Sequence, residues 1–129
     1  MKAFAPQLLS VLRIVSAFLF IQEGTMKMFG WPMAMPAGMH FVLFSQIGAA
    51  AVLELVGGGV LLLGLFPRPV AFILAGEMAV AYFQFHQPQG TWPLVNQGLP
   101  AVLFCFIFLY LAAAGGGPWS LDRALRHVD

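Results

Sequence analysis

Four apolar stretches, each near the length needed to cross a bilayer, make up most of this chain: residues 7–29, 46–66, 70–85 and 98–114. A hydrocarbon core about 30 Å thick takes roughly 20 residues of helix at about 1.5 Å per residue. The stretches therefore specify an all-α, four-transmembrane-helix bundle within a single membrane domain, followed by a short tail over 115–129. Proline and glycine punctuate them, at Gly30-Trp31-Pro32 with Pro36, at Pro67-Arg68-Pro69, across 86–93, and at Gly115-Gly116-Gly117-Pro118. Composition agrees: 9% of residues are charged, against about a quarter in soluble domains. A formal charge of +1 excludes a basic nucleic-acid footprint. The single cysteine, Cys105, excludes an internal disulfide or a zinc ribbon.

Basic residues set the expected orientation. Lys2, Arg68, Arg123 and Arg126 fall on the side that holds both termini, whereas the opposite loops carry no Lys or Arg. The positive-inside rule then places both termini in the cytoplasm, in a multi-pass protein of the bacterial inner membrane. Lys27, near the far end of the first span, snorkels to the headgroups. The first span is retained rather than cleaved as a signal peptide: it is too long, contains Arg13 and lacks a clear small-residue cleavage site. The connection over 30–45, rich in Met, Phe and Trp, suits a segment lying in the interface, with room for a short helix. Trp31 and Trp92 read as interface anchors. In the tail, Ser120-Leu121-Asp122 starts a short surface helix with Leu121, Leu125 and Val128 on one side. Gly57, Gly58 and Gly59, and Ala71, Ala75 and Ala79 at a spacing of four, are the small residues that let membrane helices approach closely or associate as a homo-oligomer.

Ionisable residues inside the spans carry the functional signal, because a charge at the bilayer centre costs from about 2.5 kcal/mol upward without a partner. At about 100° per residue, Arg13, Ser16, Phe20, Glu23 and Lys27 share one face of the first span; Gln46, Ala50, Glu54, Gly57 and Gly58 share one of the second. Counting the rise per residue from the break at 67–69 puts Arg13 and Glu77 each about 10 Å in from the cytoplasmic side, and Glu23 and Glu54 in the outer half. Two layers result: an inner structural ion pair of Arg13 with Glu77, and an outer cluster of Glu23, Lys27 and Glu54 that handles protons. Tyr82, His86 and Cys105 stand as neighbouring ligand-binding residues. Glu77 projects from the opposite side of its helix to Ala75, Ala79, Tyr82 and His86, which keeps it out of their pocket. Each position also has a plainer reading: Lys27 as a simple partner for Glu23 at i, i+4, Cys105 as a small buried hydrophobe. Met26, Met28, Met33, Met35 and Met39 beside His40 offer soft ligands of the kind copper takes, or interfacial filler; no metal is assigned.

The motifs Leu12-Arg13-Ile14, Glu23-Gly24, Lys27-Met28-Phe29-Gly30, Glu54-Leu55-Val56-Gly57-Gly58, Leu63-Gly64-Leu65-Phe66, Gly76-Glu77-Met78-Ala79-Val80-Ala81-Tyr82-Phe83, Pro93-Leu94-Val95-Asn96 and Gly117-Pro118-Trp119-Ser120-Leu121-Asp122, in this order, resemble the DoxX family of small bacterial membrane proteins. The resemblance implies a four-helix membrane bundle, in a family named after a subunit of a thiosulfate:quinone oxidoreductase, some of whose members associate with redox and detoxification enzymes. Family members often carry Glu after the Asn-x-Gly of the last outer loop; here Leu99 and Pro100 follow Asn96-Gln97-Gly98, so that acid's role does not carry over. The chain has no P-loop and no dinucleotide fingerprint. The resulting expectation is an oxidoreductase component that binds a quinone or other lipophilic molecule and takes electrons from a redox partner protein. The alternatives are a small proton-coupled carrier or channel, and a non-catalytic scaffold for a partner enzyme.

Overall fold

The computed structural model describes residues 2–35 and 42–126. All regular structure among them is helical: a 3-10 turn Lys2–Phe4, α1 Ala5–Phe29, α2 Gln46–Leu63, α3 Pro67–Ala81, the short α4 Pro93–Asn96, α5 Leu99–Ala114 and α6 Leu121–Arg126. Past Ala81, α3 widens into a π-helical turn, Tyr82–His86, and then a 3-10 turn, Gln87–Gln89. Local chemistry fixes the ends. The Ser45 hydroxyl accepts from the Gly48 N–H to cap α2. Gly30 and Gly64, at φ 65° and 78°, close α1 and α2 in the left-handed conformation that glycine adopts without penalty. The proline-rich break at 67–69 proves to be the first turn of α3, where a missing N–H costs nothing. The expected third span thus begins three residues earlier than its apolar run, and the second ends at Leu63 rather than at residue 66.

Small and polar residues share the interior with a few large apolar ones, Phe20, Leu61, Leu74, Phe108 and Leu111, and many of the other large apolar side chains lie outside. On α1, Ser10, Arg13, Ser16, Ala17 and Gly24 are buried, whereas Leu8, Val11, Val15, Phe18 and Leu19 are exposed. The same holds for Phe72, Ile73 and Val80 on α3 and for Leu103, Phe106 and Leu109 on α5, all exposed. Apolar stripes this extensive suit a lipid solvent rather than water. By length and hydropathy, α1 with its preceding turn, Lys2–Phe29, and α2, Gln46–Leu63, are able to cross a membrane; α5 is apolar but shorter.

Packing joins α1 to α2 and α3 to α5, with α2 against α3 between the pairs. Glycine sets the register: a Cβ on Gly24 would meet Leu55 Cγ at 2.9 Å, and one on Gly58 would meet Ile21 Cγ1 at 2.7 Å. As α1 advances from 21 to 24 its partner on α2 retreats, so the two helices are antiparallel. Gly57 does the same for α2 and α3, its absent Cβ lying 2.9 Å from Leu74 Cδ2. Phe20 ties α1 to α5, edge-on to Phe104 and Phe108 at 5.3 and 4.9 Å. The small face of α3 is used inside the chain: Ala71 and Ala75 are buried in the common core with Phe108 and Leu111 of α5.

Candidate functional site

The registers just described bring four ionisable side chains to one level. Lys27 Nζ lies 2.9 Å from Glu54 Oε1 and 3.7 Å from Glu23 Oε2. The lysine reaches Glu54 because side chains on a helix tilt toward its N-terminus, which returns Lys27 to the level of Gly24 and Leu55. Antiparallel packing does the rest: three residues back from Gly57 on α2 is Glu54, and three on from Leu74 on α3 is Glu77. The Glu77 carboxyl accordingly lies in hydrogen-bonding reach of the Glu54 carboxyl and within the fields of Lys27 and Glu23. Glu54 is the heart of the layer, its side chain 1% exposed, against 16% for Lys27 and 39% for Glu23. Glu77 Oε1 is buried and accepts no hydrogen bond. Three carboxyl groups thus face one ammonium group in apolar surroundings. Such a layer has the means to hold or pass a proton.

Arg13 is elsewhere, and the expected ion pair with Glu77 does not form. The guanidinium, 1% exposed, donates to backbone carbonyls: Nη1 to Gly116, Nη2 to Trp119 at 2.7 Å and, more weakly, to Leu62 at 3.4 Å. Leu62 is in the last turn of α2, where carbonyls lack helical partners, and Gly116 and Trp119 belong to the loop after α5. Ser10 joins in, its hydroxyl donating to the Gly116 carbonyl at 3.2 Å and accepting from the Trp119 N–H at 3.0 Å. On the same side, Asp122 accepts from the Phe66 N–H at 3.0 Å, Ser120 caps α6, and Arg68 donates to the Ala113 carbonyl at the end of α5. This knot ties the chain's terminal side together and leaves Glu77 to the acid layer. Counting depth from Val70 had set Glu77 too shallow. Measured from Pro67 it lies about 15 Å along the helix, level with Glu54.

Tyr82 and His86 come together, but around a residue that the ionisable pattern does not point to. Asn96, 1% exposed, donates from Nδ2 to the Tyr82 hydroxyl at 3.2 Å and to the Gly90 carbonyl at 2.9 Å. Its Oδ1 accepts from the Gly98 N–H at 2.8 Å, and its own carbonyl lies 3.1 Å from His86 Nδ1. Gly98 must be glycine, since a Cβ there would sit 2.6 Å from the Tyr82 ring. Close by, Gln84 and Gln46 form a reciprocal amide pair between the π turn and the start of α2. The group closes the loop over 87–98 and stands apart from Glu77, as the face analysis of α3 expects. Cys105 belongs to neither: it is half-buried and packs against the core cluster. Met39 and His40 lie outside the described residues; among those described, no three His, Cys, Asp or Glu side chains are grouped to hold a metal.

A groove of about 670 Å³ lies between α2 and α3, within the size range of small-molecule pockets. Val52, Val56 and Val60 form one wall, Val70 and Ile73 the other, and Phe44 stands at its mouth.

Two bacterial proteins resemble the chain along nearly all of its length. A relative from Haemophilus influenzae, described as an uncharacterized protein, is 41% identical over 126 residues, 95% of this chain and 94% of its own length. An uncharacterized membrane protein of Mycobacterium tuberculosis is 26% identical over 144 residues, covering 97% of this chain and 85% of its own. No solved structure matches the chain. The family model for DoxX matches residues 8–87, a stretch that holds Arg13 and every member of the acid layer, and the chain belongs to the DoxX family of membrane proteins.

Proposed function

We propose that this protein is a four-span component of a membrane redox system that binds a quinone or similar lipophilic molecule, with its protons handled at Glu23, Lys27, Glu54 and Glu77. The observation that carries the reading is the acid layer: three carboxyl groups around one ammonium, at mid-helix depth. A membrane interior keeps such groups only where they do something. The chain brings no cofactor motif of its own, so electrons come from a partner protein or from the bound quinol. Two further features support four spans with both termini in the cytoplasm. α3 and its π turn give a helical run over 67–86 long enough to cross with slight thinning. Exposed Trp31 and Trp92 mark one interface, while Lys2, Arg68 and Arg123 mark the other.

The experiment is mass spectrometry of the lipophilic content of gently solubilised protein, wild type beside Glu54→Gln. The expected result is a stoichiometric quinone in the wild type that the folded variant lacks. A wild-type bundle that folds but carries no lipophile, and that takes up none from added quinone, overturns the reading.

A further inference from the structure

On the side of the termini a second pocket, of about 490 Å³, opens between the first turn of α1, the last turns of α5 and the start of α6. Gln7, Leu9, Tyr110, Pro118 and Arg123 line it. A guanidinium, a phenol and a carboxamide thus stand beside leucine and proline in one lining. The Arg13 knot holds this ground in place. Gly116 and Trp119, which bracket the pocket's Gly117 and Pro118, are bonded to Arg13 and Ser10. Gly117, at φ 80°, packs on Ser10 and the Pro6 carbonyl too closely to admit a side chain. Arg123 is fixed through its backbone, its N–H donating to Ser120 Oγ at 3.1 Å, while its side chain is exposed. Gln7 Oε1 is buried and accepts no hydrogen bond from the described residues, so its carboxamide has a polar requirement that the fold leaves unmet.

Charge and position select the occupant. Lys2, Arg68 and Arg123 are exposed on this side, whereas Asp122, 3% exposed, is turned inward to the Phe66 N–H. An anion is favoured here, and a guanidinium fork matches the oxygens of a phosphate. The pocket also leads into the membrane. Tyr110, Phe106 and Leu103, at spacings of four and three, fall on one face of α5, and all are exposed. An apolar track runs from the rim toward mid-membrane, as an acyl chain requires and a soluble anion does not. Basic pockets beside membrane helices take anionic lipid heads by this combination.

We infer that this pocket seats the head group of an anionic phospholipid from the leaflet on the side of the termini, its phosphate against Arg123, Tyr110 and Gln7 and an acyl chain along Phe106 and Leu103. The site is separate from the acid layer and does not depend on the redox reading.

The test is native mass spectrometry of the full-length protein, released from gentle detergent after incubation with phosphatidylglycerol or with phosphatidylcholine of the same acyl chains. One phosphatidylglycerol should be retained per chain at concentrations where phosphatidylcholine is not. Arg123→Gln should weaken retention about tenfold. Ala5→Trp, which fills the pocket from an exposed position without changing charge, should abolish it. Arg68→Gln removes the same charge from the same side but outside the pocket, and should leave retention within about twofold of wild type. Should Arg123→Gln fail to fold, Ala5→Trp decides. Equal retention of phosphatidylcholine, an equal loss in Arg123→Gln and Arg68→Gln, or undiminished retention in Ala5→Trp overturns the inference. Displacement of phosphatidylglycerol by millimolar inorganic phosphate overturns it as well, by making the pocket a site for a soluble anion.

Discussion

The molecule buries charge in two places and treats it in opposite ways. Arg13 is met by three backbone carbonyls, from Leu62, Gly116 and Trp119, held in place by the end of one helix and the loop after another. At the other level, Lys27 is shared by Glu23 and Glu54, and Glu77 presses a further carboxyl against Glu54 with one oxygen unpartnered. Fixed acceptors around a cation make a joint. Carboxyl groups in excess over their cation leave a site with a vacancy for a proton or a donor. Burial alone does not distinguish a structural charge from a working one; the balance of partners does.

The largest effect should come from breaking the joint. Arg13→Met leaves the Leu62 and Trp119 carbonyls without the guanidinium and Gly116 with Ser10 alone, and should cost about 3–5 kcal/mol, read by the loss of cooperative unfolding in detergent through tryptophan fluorescence. Arg13→Lys should recover only part of this, since an ammonium cannot bridge carbonyls spread over a guanidinium's reach. The contrast is sharpened by a double-mutant cycle with Glu77→Gln. Coupling below about 0.5 kcal/mol is expected for sites without a shared partner; a coupling well above that would restore the ion pair the structure denies.

Much of this was legible from residue types and spacing. The helical course of the apolar stretches, the shared face of Glu23 and Lys27, the separation of Glu77 from Tyr82 and His86, and Ser120 as a helix start all follow from periodicity and end signals, and the structure agrees with them. The pairing of Arg13 with Glu77 failed for a definite reason. Pro67-Arg68-Pro69 reads as a break, yet proline is at home in a first helical turn, and the three extra residues carry Glu77 about 4.5 Å deeper. Arg13's true partners are backbone carbonyls, which every residue has and no sequence marks. Asn96 was visible only as part of a family motif, because a lone asparagine in a loop shows no period. The one signal that could have found the Glu54 and Glu77 contact is Gly57, whose lack of a side chain admits Leu74 and thereby sets the α2 to α3 register.

That register gives the next prediction. Gly57→Leu should drive α2 from α3 and cost about 2–3 kcal/mol by overpacking, with the acid layer lost as well. Gly59, where an added Cβ meets nothing within 4 Å, should accept the same substitution with little change in melting temperature. If both behave alike, the layer does not depend on helix approach. Smaller again is Lys27→Met, expected to cost about 1–2 kcal/mol, near the upper end for interhelical polar contacts in membranes. Most of that should return in the double variant Lys27→Met, Glu54→Gln, which removes the stranded carboxylate along with its cation. Full additivity would mean that the 2.9 Å contact contributes no coupling.

The smallest stability effect, and the most telling, belongs to Glu54→Gln. The amide has the carboxylate's shape, keeps an oxygen for Lys27 Nζ and offers an N–H toward Glu77. Lys27 also retains Glu23 at 3.7 Å. The bundle should therefore unfold within about 1 kcal/mol of wild type, while bound lipophile disappears. The two buried regions then respond to conservative replacement in opposite senses: Arg13→Lys keeps the charge and loses the fold's joint, whereas Glu54→Gln loses the charge and keeps the fold. A layer maintained for packing would be indifferent to the proton that glutamine cannot carry, and would show it by retaining its ligand. If instead Glu54→Gln destabilises as strongly as Arg13→Lys in parallel melts, the acid layer is a second joint and its carboxyl excess has a structural cause.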